Sequence, residues 1–292
     1  MAKNAQFIYG GGGDVVLYDA VNGWYSLGYL QELIATFEGP KVETVMAQMV
    51  QFFTMYKVTL KNLQSNAALV AELVTRRTAL QTIYVTGAGK LFTFPNMLIN
   101  YNPNHPFNSS DAHTIDISFQ TGVEPTQQEN LLGTSGQFET DAGGGIATGW
   151  LETGALAAKS VAASHLAGEG NAQLMEVSGA DPDAGIYKAT TCPFEGTLKV
   201  TFSAYIKAVA ASDFNMVIMT FDTSDVVITI YTKAISMTLN EETRQEFAQT
   251  INEGEIVKSV RVYIQGDNSN TADLNVDNAQ LELGGLKDFR AT

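Results

Sequence analysis

The chain holds a single cysteine, Cys192, so a disulfide within it and a four-thiolate zinc site are both excluded. Histidine is almost as scarce: His105, His113 and His165 are the only three, and none stands in a His-Glu-x-x-His spacing. No Gly-x-Ser-x-Gly nucleophile signature occurs. The run Gly10-Gly11-Gly12-Gly13 lacks the Lys-Ser/Thr that a phosphate loop needs. The acidic pairs Glu241-Glu242 and Asp181/Asp183 fall in turn-like stretches, where solvated charge is the default. These absences point away from an enzyme. No stretch approaches the roughly 18 apolar residues of a membrane span. The start, Met1 to Phe7, reaches polar and glycine-rich sequence without the apolar middle of a secretory signal. A protein made in the cytoplasm, with no membrane partner, is the expectation.

Positive charge is short as well. Residues 1–123 carry 7 Lys/Arg against 8 Asp/Glu, and residues 124–292 carry 10 against 23, which places −13 of the net −14 in the second half. Nucleic-acid binding by counterion release needs a basic face, and neither half supplies one. The acidic half would keep a crowded assembly soluble, and some of its carboxylates could bind a cation.

What is present reads as mainly β. Asp14–Tyr18 is a short strand after a flexible entry ending in Gly10–Gly13. Tyr29–Glu38 fits either period, and Gly39-Pro40 breaks the chain. Thr54–Leu63 alternates, with Tyr56, Val58 and Leu60 on one face. The spacing predicts a helix over Ser65–Gln81, capped by Ser65 or Asn66, with a stripe of Leu69, Val70, Leu73, Val74 and Leu80 and a Glu72/Arg76 pair four apart. Strands follow at Thr82–Val85, Lys90–Phe94 and His113–Gln120, the last two separated by an Asn/Pro loop at Asn100–Ser110. The first domain, residues 1–123, is thus α+β. A polar segment with a proline, residues 124–129, is the linker. From 130 to 292 short β runs recur between turn signals: Gln173–Val177, Ile186–Ala189, Thr197–Ile206, Met216–Thr220, Val226–Tyr231, Arg244–Thr250, Ser259–Gln265 and Ala272–Glu282. Such spacing argues an antiparallel β-sandwich.

Three stretches carry a resemblance. Asn130-Leu131-Leu132 with Gly136-Gln137-Phe138-Glu139 and Gly149-Trp150 is similar to the opening of carbohydrate-binding modules with the galactose-binding-like jelly roll. Phe202-Ser203-Ala204-Tyr205-Ile206-Lys207-Ala208 resembles their central strand, and Val276-Asp277-Asn278-Ala279-Gln280-Leu281-Glu282 their closing one. The resemblance covers residues 130–285 and implies a jelly roll. It also implies a structural calcium held by Glu139 and Asp277, with Asp141 as a third ligand; the plain alternative is an Asp that satisfies backbone donors at a strand end. Sugar binding requires an exposed ring for a pyranose face. Trp150 and Tyr187 are the candidates, with Tyr205, Tyr231 and Tyr263 behind them, and sandwich core is the competing role for Trp150.

The first domain is similar to bacteriophage tail tube proteins. Tyr56-Lys57-Val58-Thr59-Leu60-Lys61, the helix from Leu69 to Leu80 and the strand around Ile115-Asp116-Ile117 carry that likeness. It implies a small β-sandwich flanked by one helix that forms stacked hexameric rings, with Phe7–Asp14 and Phe37–Phe53 touching the next ring. The partners implied are further copies of the chain, other virion proteins and a polysaccharide, with the genome passing without sequence-specific contact. The expected location is the virion, with the acidic jelly roll facing outward. A glycan-binding adhesion module and a capsid or neck decoration protein are the other readings.

Overall fold

The computed structural model describes residues 6–38, 42–45, 48–51, 55–64, 67–100, 114–166, 170–267 and 271–284. The chain forms two compact units, Met1–Gln127 and Gln128–Thr292. Both are built from antiparallel sheet, and the single helix described lies in the first.

In the first unit the strands are β1 (Gln6–Asp19), β2 (Gly23–Glu38), β3 (Val42–Val45), β4 (Gln48–Gln51), β5 (Met55–Gln64), β6 (Gln81–Gly87), β7 (Lys90–Asn100), β8 (Thr114–Thr121) and β9 (Thr126–Gln128), with helix α1 (Ala67–Arg76) between β5 and β6. The main sheet runs β6-β1-β2-β5-β8-β7-β9, and β7 also pairs with β6, so six strands close on themselves. Closure leaves no edge along that seam. The β6–β7 turn is two residues long, with Ala88 and Gly89 both at positive φ, the geometry that matches the twist of a tight hairpin. Alternation along each strand aims Val15 and Leu17, Val58 and Leu60, Ile83 and Val85, and Ile117 and Phe119 into one core.

The helix is shorter than its sequence pattern. It stops at Arg76, so Leu80 lies beyond it and is exposed, as is Val74, while Leu69 and Leu73 plug the core. The proposed caps Ser65 and Asn66, most of the Asn/Pro loop and parts of Phe37–Phe53 lie outside the described residues. Gly10–Gly13 is not a flexible entry but part of β1, paired with Leu30, Leu33 and Ile34 of β2 across a bulge. Glycine suits these positions because a side chain and a neighbouring strand press on them. A Cβ on Gly12 would come within 2.3 Å of the Tyr29 hydroxyl, and one on Gly13 within 3.1 Å of the Thr86 carbonyl. The ambiguous Tyr29–Glu38 stretch is the second half of β2.

The Glu72/Arg76 pair proves to be part of a buried network. Arg76 is 1% exposed. Its Nε donates to Glu72 at 2.6 Å, and its Nη1 to Asp19 at 3.0 Å and to the Gly23 carbonyl at 2.9 Å. Asp19 also accepts from the Gln81 amide at 2.8 Å and from the backbone N–H groups of Val21 and Asn22. Burial pushes the Asp19 carboxyl up, but the donors on Asn22, Gln81 and Val21 outweigh it and hold the group below its ordinary value.

The second unit opens with a short 3-10 turn (Gly133–Gln137), followed by β10 (Leu151–Thr153), β11 (Ala158–Ala163), β12 (Asn171–Val177), β13 (Gly185–Ala208), β14 (Ser212–Phe221), β15 (Val227–Met237), β16 (Glu242–Gly266) and β17 (Ala272–Leu283). Two of these are far longer than their sequence signals. Ile186–Ala189 and Thr197–Ile206 are one strand, β13, and Arg244–Thr250 and Ser259–Gln265 are one strand, β16. The Glu195-Gly196 signal marks a bend and not a reversal: the β13–β16 register shifts between Thr191 and Gly196. Strands that bend at bulges pass from one sheet of a sandwich to the other. The front layer is β10, the first part of β13, the last part of β16, β14 and β15. The back layer is β11, β12, β17, the last part of β13 and the first part of β16. Ile186, Val262, Ile264, Met216 and Ile218 of the front face Phe202, Ile206, Val276 and Leu281 of the back as a dry core. The architecture is a β-sandwich of the jelly-roll class.

Candidate functional site

The opening stretch, residues 130–150, is folded into this sandwich. The Leu131 N–H donates to the Leu281 carbonyl at 2.8 Å, and the Asn130 side chain accepts from Leu132 and Leu281 N–H groups. Trp150 is 2% exposed. Its ring stacks on Phe138 with centroids 5.0 Å apart, and its indole N–H donates to the Ser135 carbonyl at 2.8 Å. Trp150 is therefore core and offers no ring face to a sugar.

The three carboxylates named as calcium ligands do not converge. Among the described residues no three His, Cys, Asp or Glu side chains form a group able to hold a metal ion. Asp141 closes its own exposed turn by accepting the Gly143 N–H at 2.7 Å. Glu139 is exposed and accepts the Asn171 N–H at 3.1 Å. Asp277 is buried, accepting the Ser164 hydroxyl and the Asn278 N–H. Ser164 N–H in turn bonds the Gly170 carbonyl, so Glu139 and Asp277 are joined through one short backbone link. Protein donors reach both carboxylates, and among the described residues no third acidic side chain joins them, so these residues do not assemble a calcium site.

Beside Glu139 lies a cavity of ≈ 240 Å³ edged by Thr134, Ser135, Thr140 and Thr148 over Phe138. The Phe138 ring that lines it is stacked on Trp150.

The other sequence candidate, Tyr187, has a different setting. It is half-buried on β13, and its ring stacks on Tyr263 of β16 with centroids 5.0 Å apart and planes 20° from parallel. Directly paired residues share a sheet face. Register then places four rows on the outer face of the front layer. One runs Leu151, Tyr187, Tyr263, Val217, Thr232. On one side of it lies Ala189, Arg261, Met219, Ile230, then Thr191, Ser259, Phe221, Val227; on the other, Thr153, Gly185, Gln265, Asn215, Ala234. Leu151 and Ile230 are each 55% exposed at opposite ends of this surface. Arg261 is half-buried, with its guanidinium carbon 3.7 Å from the centre of the Phe221 ring. Burial pushes the Tyr263 hydroxyl up, against the pull of the adjacent Arg261.

Sequence reasoning named Tyr187 and set Tyr263 behind it, but missed Arg261. Tyr205 and Tyr231 are elsewhere: Tyr205 lies under the Arg244 guanidinium on the back layer, and Tyr231 points toward Glu253. The remaining reactive candidates are inert or outside the described residues. Burial pushes the Cys192 thiol up to about 12, which removes its thiolate. His105 and His113 are not described, and both ring nitrogens of His165 are buried with no partner among the described residues. Among the described residues no helix is long and apolar enough to cross a membrane.

No protein-family model matches the chain, and no curated protein matches it. Solved structures do. The enzymatically active domain of tailspike protein 4 of bacteriophage CBA120 is similar at 12% identity and a TM-score of 0.41, over 53% of this chain and 21% of that one. The CBM22-1 xylan-binding domain of Paenibacillus barcinonensis Xyn10C is similar at 16% identity and 0.40, over 52% and 93%. The CBM22-1 and GH10 modules of Clostridium thermocellum xylanase 10B, complexed with xylohexaose, are similar at 12% identity and 0.38, over 56% and 30%. The chain thus spans about a fifth of the tailspike structure it matches.

Proposed function

We propose that the second unit binds polysaccharide on the outer face of its front layer, with Tyr187 as the aromatic contact and Tyr263 as the ring that fixes it. The observation that carries this reading is Tyr187, half-buried on the outer face of the front layer between exposed Leu151 and the buried Tyr263 ring that stacks on it and holds it in place. A pyranose has one apolar face, and a rigid ring with a polar tip holds it at little entropic cost. Affinity electrophoresis of the whole chain in gels containing neutral and acidic polysaccharides tests it. Retardation is expected, and Tyr187→Ala should weaken it roughly tenfold, about 1.4 kcal/mol, with the circular dichroism unchanged. No retardation by any polymer, or full retardation of the variant, overturns the reading.

For the first unit we infer assembly, as a tail tube-like subunit of a virion whose second unit faces outward. The supporting observation is one edge of β1. Strand β6 pairs with β1 only over Asp14–Tyr18, while β1 continues with β2 back to Gln6 and that part of β2 is paired in turn with β5. A sheet edge of this kind is placed to accept a strand of a neighbouring copy. Negative-stain images should show rings or tubes, and a persistent monomer at high concentration would remove this reading.

A further inference from the structure

We infer that the cavity beside Glu139 is a second ligand site, one that takes a single neutral sugar unit through hydrogen bonds to its hydroxyls. It uses none of the residues of the Tyr187 face and stands apart from that reading.

The lining is almost entirely polar. Thr134, Ser135, Thr140 and Thr148 bring hydroxyls, Gln137 an amide and Glu139 a carboxylate, and Phe138 is the one apolar residue among those described. The Thr134 and Ser135 hydroxyls and the Gln137 amide have no hydrogen-bond partner among the described residues. The Thr140 and Thr148 hydroxyls bond each other at 2.9 Å, which leaves one of their two hydrogens to donate onward. Glu139 accepts the Asn171 N–H on one oxygen at 3.1 Å, and its other oxygen has no partner among the described residues. The volume, ≈ 240 Å³, lies below the roughly 300–1,000 Å³ of pockets for drug-sized ligands, so it suits one ring and not a chain.

The backbone that carries these groups is tied down. The Trp150 indole N–H donates to the Ser135 carbonyl at 2.8 Å, and the Thr148 N–H to the Thr140 carbonyl at 2.7 Å. Phe138 takes a left-handed conformation, φ 55° and ψ 23°, which is strained for a bulky side chain. It buries its ring against Trp150 while the residues on either side of it, Gln137 and Glu139, stay on the lining. Strain of this kind gathers where a site must be held in one shape. A fixed array loses little entropy when a ligand arrives. This one mixes donors with acceptors, and each sugar hydroxyl is both. An apolar ligand would leave the array buried and unpaired, and an anion would meet Glu139. Lys188, near the Ser135 hydroxyl across Gly149, already donates to the Gly149 carbonyl at 3.0 Å.

Saturation-transfer nuclear magnetic resonance on the whole chain tests this, with the methyl glycosides of glucose, galactose, mannose and xylose as probes. Methyl glucuronide is the charged counterpart of the glucoside. At least one neutral glycoside is expected to show transfer, and the glucuronide to bind about fivefold more weakly or less. Glu139→Gln and Gln137→Ala should each weaken the neutral sugar about fivefold, the loss of one hydrogen bond. Thr148→Trp, which fills the cavity from its exposed rim, should abolish transfer with the circular dichroism unchanged. Tyr187→Ala should leave it as it was. Transfer to no neutral glycoside, or transfer that survives Thr148→Trp, overturns the inference and leaves the Tyr187 reading standing. Equal binding of the glucuronide removes the neutral assignment. Transfer lost in Tyr187→Ala places the sugar on the front layer and removes the second site.

Discussion

Two arginines, one in each unit, mark how differently the halves of this molecule use positive charge. Arg76 in the first unit is enclosed and fully matched, with two carboxylates and the Gly23 carbonyl around it. Arg261 in the second is half-buried against the Phe221 ring and the Tyr263 hydroxyl. The first ties the end of α1 to the β1–β2 turn; the second covers the side chains of its own sheet face. The same side-chain type thus serves as a tie between distant elements in one unit and as packing in the other.

The largest expected effect tests that contrast. Arg76→Ala strands Asp19 and Glu72, so it should destabilise the first unit by about 3–5 kcal/mol. Arg261→Gln should cost the second unit less, about 1 kcal/mol, the loss of one half-buried cation–π contact. Urea titration followed by near-ultraviolet circular dichroism reads both, and equal losses would end the comparison. Next comes a packing change confined to the second unit. A Cβ on Gly136 would lie 1.9 Å from the Ala279 carbonyl, which is backbone and cannot swing aside. Gly136→Ala should therefore cost about 1–3 kcal/mol, seen as an earlier second transition with the first unmoved.

The smallest effect concerns acid. Asp19 sits below its ordinary pKa, so its share of stability is complete above the usual carboxylate range near about 3.9 and is lost only as pH falls through its lower folded value. Asp273 has the opposite sign. Burial, and then the Glu176 charge paired directly across from it, push its carboxyl up. Its ionised form opposes folding at neutral pH, and the penalty is relieved as pH falls through the raised value. Asp273→Asn should stabilise the second unit at pH 7 by about 0.5 kcal/mol, with the gain vanishing toward pH 4. A gain that is constant with pH would refute this account.

Much of the strand content was legible where one face meets water and the other does not. Val58 and Leu60, or Ile117 and Phe119, announce themselves because a period of two survives any packing arrangement. Gly10–Gly13 did not, because the reason for glycine there is the approach of Tyr29 and Thr86, both distant in sequence. The merging of two signals into β13, and of two more into β16, was hidden for a related reason: a bulge and a reversal use the same residues. At the site, Tyr187 could be named as an aromatic beside a turn. Its stack with Tyr263 and the place of Arg261 over Phe221 exist only once β13, β14 and β16 are in register. Trp150 is a case from the other side, since its place after Gly149 at the entry to a strand already favoured the core over an exposed platform, and Phe138 and Ser135 lie against it.

Strand β17 lies between β12 and β13 in the middle of the back layer. The sandwich cannot close until residues 272–283 have been synthesised and have left the ribosome, so this unit folds after the ribosome has passed them, through pairings of long sequence separation that form slowly. During that wait β13 stays exposed along the flank that β17 will occupy, and the mutual repulsion of a strongly acidic polypeptide is what keeps such nascent chains from sticking to one another.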